Sequence, residues 1–541
     1  VGVDDDELSK NETRRIFIEE IFPQQDLIEG QSRIQNTFDL SYYPEEKGPY
    51  NNSLSADFKL SPKKNWAGIT RKINPTNFEQ ANVEFVQFWL LDTFEENTSG
   101  ENNLGELVFN LGSISEDILK DGKKLYENGL PTLNSQQLTN NSSWGVSPAT
   151  QSLVYSFDSD ANNRKVQDLG YDGMNDQDEI EKYFNGKKSD PAGDNYQYYL
   201  SASGGVLDRY KNYNGTQGNS PVSINNNERG STTIPDNEDV NQDNTMNTID
   251  SYFEYTVPIR KNMDVGNHPF ISDVRENVKV ELPNGQSKTT RWIQFKIPVF
   301  KQFYKSSKYS PFFKSINGID NLRSIRFMRI FLKDFNKPVT IRFGTLDLVR
   351  TDWKRYSKNL NKENITYPNT SFEIGSVNIL ENENRVPINY VLPPGVQREE
   401  INSNSTVIRQ NEQSMSIKIN DLQPKDSRAV YKNLNFDMRQ YKSLKMYIHA
   451  ESLEESTKLP GEGATEEFDK RLVGFLRIGS DFTDNYYQIE IPLKPTAFNQ
   501  NSSNRYSADQ VWEPDSNSID FSLEKLTQLK AIAISNNSNL S

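Results

Sequence analysis

Val83-Glu-Phe-Val-Gln-Phe-Trp-Leu-Leu91, then Gly105-Glu-Leu-Val-Phe-Asn-Leu-Gly112 and Ser113-Ile-Ser-Glu116, is the stretch that decides how this chain folds. Two apolar runs, rich in aromatic and β-branched residues and bounded by Asn, Gly and Thr, read as two strands. Ser113 and Glu116 have the spacing of a capping box, which predicts a short helix after the second strand, with Gly129 before Pro131 as its stop.

The pattern repeats. Val83–Asp92, Ile325–Asp334 and Leu444–Glu451 are each an apolar strand closing on an acidic residue, and each precedes a strand closing on Gly and a hydroxyl: Gly112-Ser113, Gly344-Thr345 and Gly479-Ser480. A second echo joins Tyr252–Pro258, Trp292–Pro298 and Tyr486–Pro492, alternating strands closed by Pro, which removes a ladder donor. Repeated strand pairs predict repeated β units. The expectation is a mainly β chain of two or three jelly-roll-like antiparallel β-sandwich units, with long loops and few short helices.

The expected segments are an N-terminal extension over 1–35, a β-rich unit with a capped helix over 36–145, a sandwich with a long insertion and acidic loops over 146–360, and a second sandwich over 361–541, cut before its closing strand. Within them, 36–60 reads as a hairpin turning at Gly48-Pro49, and the Gly/Asn/Ser-rich tract 204–247 is too long for a simple connection.

Composition narrows the function. The 541 residues carry 75 Asp+Glu against 61 Lys+Arg, a net charge of −14 that argues against tracking nucleic-acid phosphates. No run approaches the roughly 18 to 20 apolar residues of a spanning helix. Barrel strands, with a weaker signature, stay open at this stage. The chain starts at Val1 without a signal-peptide pattern and reads as a fragment. Zero Cys removes disulfides, thiolate metal sites and Cys nucleophiles.

Two acidic loops are candidate metal sites. Asp239, Asn241, Asp243, Asn247 and Asp250 place oxygens at positions 1, 3, 5, 9 and 12 of a twelve-residue loop, and Thr245 supplies a carbonyl at position 7, as calcium requires. The loop resembles that of dockerin modules, which commonly close with Asp as this one does at Asp250; against the general EF-hand pattern, Asn244 replaces the glycine and Asp250 the Glu. The alternative is a solvated Asn/Asp turn. In the second loop Asp168, Asp172, Asn175, Asp176, Asp178 and Glu179 crowd around Gly173, where a hard cation or plain solvation would relieve repulsion. Calcium is the one cofactor expected.

No catalytic constellation emerges. His268 and His449 are the only histidines, and HExxH, P-loop and G-x-S-x-G motifs are absent, so no enzyme activity is expected. Trp89 and Trp292 read as core, while Trp66 and Trp144 read as exposed.

The wording of the chain resembles one family throughout. Asn74–Phe94 and Gly105–Pro131, together with Arg14–Pro23, Tyr42–Tyr50, Ser147–Phe157, Gly170–Asp176, Asp347–Arg355, Tyr390–Gly395 and Asn435–Tyr441, are similar to the SprA/Sov family, outer-membrane translocons of the Bacteroidota type IX secretion system. The resemblance implies a very large outer-membrane β-barrel protein that exports folded proteins and supports gliding motility. This chain would form soluble insertions that cap or line its pore, most readily on the extracellular side. The implied partners are cargo with a type IX C-terminal signal, a plug protein and a PorV-like shuttle barrel. The rival reading is a free-standing carbohydrate-binding jelly-roll protein at the cell surface, which fold alone does not separate from the first.

Overall fold

The computed structural model describes residues 2–46, 48, 57–94, 104–117, 124, 126, 139–142, 145–150, 160, 162–163, 174–181, 189, 195, 197–212, 238–305, 309–358, 360, 367, 369–403, 406–435, 437–452, 459, 472–498 and 505–535. Of these described residues 37% are in strands and 14% in helices, so the structure is mainly β, in antiparallel sheets. Two compact units emerge: Val1–Ile16, Gln35–Met263 and Asn277–Arg350 make the first, and Phe17–Ile34, Asp264–Glu276 and Thr351–Ser541 the second.

The first unit is built on strands β1 (Phe38–Tyr42), β2 (Trp66–Lys72), β3 (Val83–Leu91), β4 (Gly105–Ser113), β5 (Ser251–Ile259), β6 (Ile271–Glu281, of which residues 277–281 belong here), β7 (Ser287–Pro298), β8 (Phe313–Ser315), β9 (Phe327–Lys333) and β10 (Val339–Arg350). They form two five-stranded sheets, in the orders β6-β7-β3-β10-β1 and β8-β5-β4-β9-β2. Without the flanking β6 and β8, the pairs β1·β10, β2·β9, β3·β7 and β4·β5 nest like one long hairpin wrapped on itself. β3·β10 and β4·β9 then close each sheet. This is jelly-roll topology.

The core follows from the opening stretch. All nine residues of β3 are buried, Glu84 and Gln87 among them, which explains why its apolar residues fall on both faces rather than in strict alternation. Phe88 stacks on Phe295 of the neighbouring β7 at 4.9 Å and on Phe109 of the opposite sheet at 5.5 Å, and meets Phe343 of β10 edge-on at 5.3 Å. Trp89 and Trp292 are fully buried, as expected. On β10, the buried Arg342 donates to Asp39, Thr37 and the carbonyls of Asn11 and Arg14, pinning the start of the chain to the sheet.

Three expectations change here. Strands from 36–145 and 146–360 alternate in the same two sheets, so these segments are one sandwich; a nested hairpin must pair the early half of its chain with the late half. Residues 1–35 are not a separate extension, because Arg342 holds the first part and residues 17–34 are counted with the second unit. Phe38–Tyr42 pairs with Val339–Phe343, while the return arm of the expected hairpin at 49–56 lies outside the described residues. The first two repeats are therefore not successive domains. β3 lies beside β10 and β4 beside β9, so the two pairs interlock at the centre of one body.

The second unit contains β11 (Ser371–Asn378), β12 (Gln413–Asn420), β13 (Ser443–Tyr447), β14 (Val473–Gly479), β15 (Tyr486–Pro492) and β16 (Ser518–Ser522), with helices α1 (Ala508–Trp512) and α2 (Glu524–Ser535). The ladders are β11·β12, β13·β16 and β14·β15. Ile388, Tyr390, Val511 and Trp512 form a buried cluster.

The third repeat keeps its register. Gly479 faces Tyr486 and Pro492 faces Val473 in β14·β15, just as Gly112 faces Tyr252 and Pro258 faces Glu106 in β4·β5. Both glycines are required by close approach. A Cβ on Gly112 would lie 2.4 Å from the Ser251 carbonyl oxygen, and one on Gly479 would lie 2.1 Å from that of Asn485. With β13·β16 in the place of β3·β7, the second unit repeats the inner half of the jelly-roll hairpin.

Candidate functional site at the neck of the insertion

The shared register locates the long insertion. Between the glycine-ended and the tyrosine-started strand the second unit has only the turn Ser480–Asn485, tightened by Asp481, whose carboxylate accepts from Thr483, Asp484 and Asn485. At the same point the first unit has residues 113–251. The two arms of that insertion meet where Ser113 pairs with Ser251.

The expected capping box does not form. Ser113 ends β4 and residues 114–117 are not helical. Glu116 is buried, and its two oxygens accept the N–H groups of Val240 at 2.7 Å and Asn247 at 2.9 Å. The Glu116 N–H donates to the Asn247 carbonyl at 2.7 Å, the Ser115 N–H to Asp250 Oδ1 at 2.9 Å, and the Asn247 amide to the Ile114 carbonyl. Glu116 thus clasps the two arms together. Burial pushes its carboxyl above the ordinary range, against the bonds from Asn247 and Val240 that favour the charge, while the nearby Asp239 pushes the same way as burial. Local sequence could not reveal this role, because the partners lie more than a hundred residues away.

In the 239–250 loop, the oxygens of Asp239 accept from the N–H groups of Asp243 (3.0 Å) and Asn244 (3.1 Å), which are positions 5 and 6. Asn244 has φ 60°, the left-handed conformation for which position 6 ordinarily uses glycine. Asp243 accepts from the Thr245 N–H and hydroxyl and from the Asn241 amide, with the Thr245 hydroxyl bond the chief cause of its lowered pKa. The first half of the loop therefore fits a cation loop. The second half does not: Asn247 and Asp250 are bonded to the 114–115 arm.

The surroundings are acidic. Glu238, Asp239 and Glu116 are buried, and so is the hydroxyl of Tyr126, which finds no hydrogen-bond partner among the described residues. Burial, then the charges of Asp239, Glu116, Glu238 and Asp243, push that hydroxyl up to about 12. Among the described residues no three His, Asp or Glu side chains converge as a metal group.

In the second acidic loop, Asp168 and Asp172 lie outside the described residues. Asn175 caps the helix Asp176–Glu179 by accepting from Gln177 and Asp178, its amide donates to Asp178, and Asp176 accepts from Asn195. Glu179 is buried. The described part is a helix cap rather than a ring of carboxylates. His268 is also structural, with Nδ1 accepting the Phe270 N–H at 3.2 Å. Trp66 is 41% exposed, as expected, while Trp144 lies outside the described residues.

These features define a jelly-roll β-sandwich protein with an insertion clasped at its neck, and no helix among the described residues is long and apolar enough to cross a membrane. The SprA_N family, described as motility related/secretion protein, matches residues 173–541, and the chain belongs to that family. No curated protein matches it.

Proposed function

We propose that this chain forms soluble domains of the type IX protein-secretion translocon, which cap or line its pore while folded proteins cross the outer membrane. Membership in a family of motility and secretion proteins carries the reading. The fold supports it, because a pore wide enough for folded cargo leaks unless rigid bodies cover it, and the sandwich has a close-packed core. In this role the chain is non-enzymatic and faces the cell exterior. Its partners are cargo bearing a type IX C-terminal signal, a plug protein and a PorV-like shuttle barrel.

These 541 residues contain no Cys, so an introduced thiol is the only one in this region. A single Lys64→Cys variant, at an exposed position, is expected to react with a membrane-impermeant maleimide in intact cells. Reaction only after permeabilisation would move the domain to the periplasm or lumen. In-frame removal of residues 251–541 is expected to abolish release of signal-bearing cargo, and undiminished release would overturn the proposal.

Calcium is a separate proposal, supported by the geometry of Asp239–Thr245 and the acidic surroundings of Tyr126. Millimolar-range calcium, on the order of the affinities of extracellular modules, is expected to raise the melting temperature of the first unit relative to chelator. Identical melting in both would sink it.

A further inference from the structure

The repeat between the two units runs past their strands into α2. Ile319-Asp-Asn-Leu-Arg-Ser-Ile-Arg-Phe-Met-Arg-Ile330 leads into β9, and Leu523-Glu-Lys-Leu-Thr-Gln-Leu-Lys-Ala-Ile-Ala-Ile534 holds nearly all of α2. Both carry an acidic residue second, a basic residue eighth, and apolar residues in the places of Leu322, Ile325, Met328 and Ile330. In the first unit those four are buried. In the second, Leu526 is half-buried, and Leu529, Ile532 and Ile534 are 55%, 56% and 57% exposed. The helix itself is the reason. Each residue turns about 100° around a helix, so Ile532 and Ile534 stand about 200° apart and no single face buries both. In a strand, residues two apart share a face.

A strand edge for such a segment is at hand. In the first unit β9 lies on β4, with Met328 facing Leu111 and Ile330 facing Phe109. β14 is the counterpart of β4, with Gly479 in the place of Gly112 and Val473 in that of Glu106. Among the described residues β14 pairs with β15 alone, so the edge that β9 covers on β4 is open on β14. Leu476 and Ile478, in the places of Phe109 and Leu111, are only half-buried, whereas Phe109 and Leu111 are fully buried. The reach is sufficient. Sheets of a sandwich lie about 10 Å apart, and residues 523–530 span about 12 Å even when helical.

We propose that residues 530–535 exchange between two states, the end of α2 and a strand added to the open edge of β14. In the strand state Ile532 lies opposite Ile478 and Ile534 opposite Leu476, the register that β9 keeps on β4. Both isoleucines then share a face with Leu476 and Ile478, and the outward backbone groups of β14 gain partners. The β-branched isoleucines favour this state, while Leu529, Lys530 and the alanines favour the helix. An open edge invites pairing with other chains, so the exchange is an edge guard built into the fold, independent of the secretion reading.

Ile532→Lys combined with Ile534→Lys tests this in the full chain. Lysine suits the exposed last turn of a helix, where it complements the macrodipole, but not the apolar face of the strand. Amide exchange over residues 473–479 is expected to run roughly five- to tenfold faster than in the parent, the loss of about one net backbone bond per edge amide, while exchange over β4 and β5 stays constant. Unchanged exchange over 473–479 would overturn the proposal. A second measurement reads the register without added charge. Leu476→Cys with Ile534→Cys, in a region with no other Cys, is expected to close an intrachain disulfide under mild oxidation, because directly opposite Cβ atoms lie about 4.5–5.5 Å apart. Arg477→Cys with Ile534→Cys places the thiols on opposite faces and should close far more slowly. Equal rates for the two pairs, or disulfides only between copies of the chain, would overturn it as well.

Discussion

Phe88→Ala is expected to destabilise the first unit by about 3–5 kcal/mol, the range for a large buried ring cut back to a methyl group. The size of the effect follows from position. Phe88 touches rings from β7 and β10 in its own sheet and from β4 in the other, so its loss opens a cavity between sheets that strand pairing prevents from collapsing. Phe88→Leu keeps most of the volume and should cost far less, about 1 kcal/mol. Denaturant unfolding followed by tryptophan emission reads both, since Trp89 and Trp292 are buried in this unit. A cost below about 1 kcal/mol for the Ala variant would mean that Phe88 does not join the sheets.

Arg385→Ala is expected to remove about 2–4 kcal/mol from the second unit, slightly less than for a fully buried pair because both side chains retain some exposure. The cost arises mainly from Glu451, left charged and poorly solvated. Burial alone would push its carboxyl up, yet the charge of Arg385 and the bonds from His449 and Arg385 hold it at about 2. The sign follows from that depression. Ionised Glu451 contributes stability above the unfolded carboxylate value of about 4.3, and this contribution fades as pH falls toward about 2. Unfolding midpoints measured from neutral to acid pH should therefore show a decline for the parent chain that is weaker in Arg385→Ala. Equal stability at neutral pH, with superimposable acid profiles, would contradict the pairing.

Much of this architecture was legible in individual residues. The apolar runs at Val83–Leu91 and Gly105–Gly112 announced strands, and their repetition announced related units. The Pro ending Tyr486–Pro492 and the Gly closing Val473–Gly479 even carried the register, because a prolyl residue lacks a donor and a crowded position admits only glycine. Other features misled for a definite reason. Ser113 and Glu116 have the spacing of a helix cap, but spacing reports only local options, and Glu116 found backbone donors at Val240 and Asn247 instead. The division between 36–145 and 146–360 looked like a domain boundary because composition cannot distinguish a linker between bodies from an insertion within one.

The sequence by itself determined that the chain is β-rich, that its strand pairs recur, which family it resembles, and that Trp89 and Trp292 lie inside. These properties depend on periodicity, side-chain volume and wording within a few residues. Tertiary structure alone decided that the first two repeats interlock in one jelly roll, that Arg342 secures the start of the chain, that Glu116 closes the neck of the insertion, and that Arg385 pairs with Glu451. Each of those contacts joins residues distant along the chain, and its energy depends on burial and geometry that exist only after the sheets have closed.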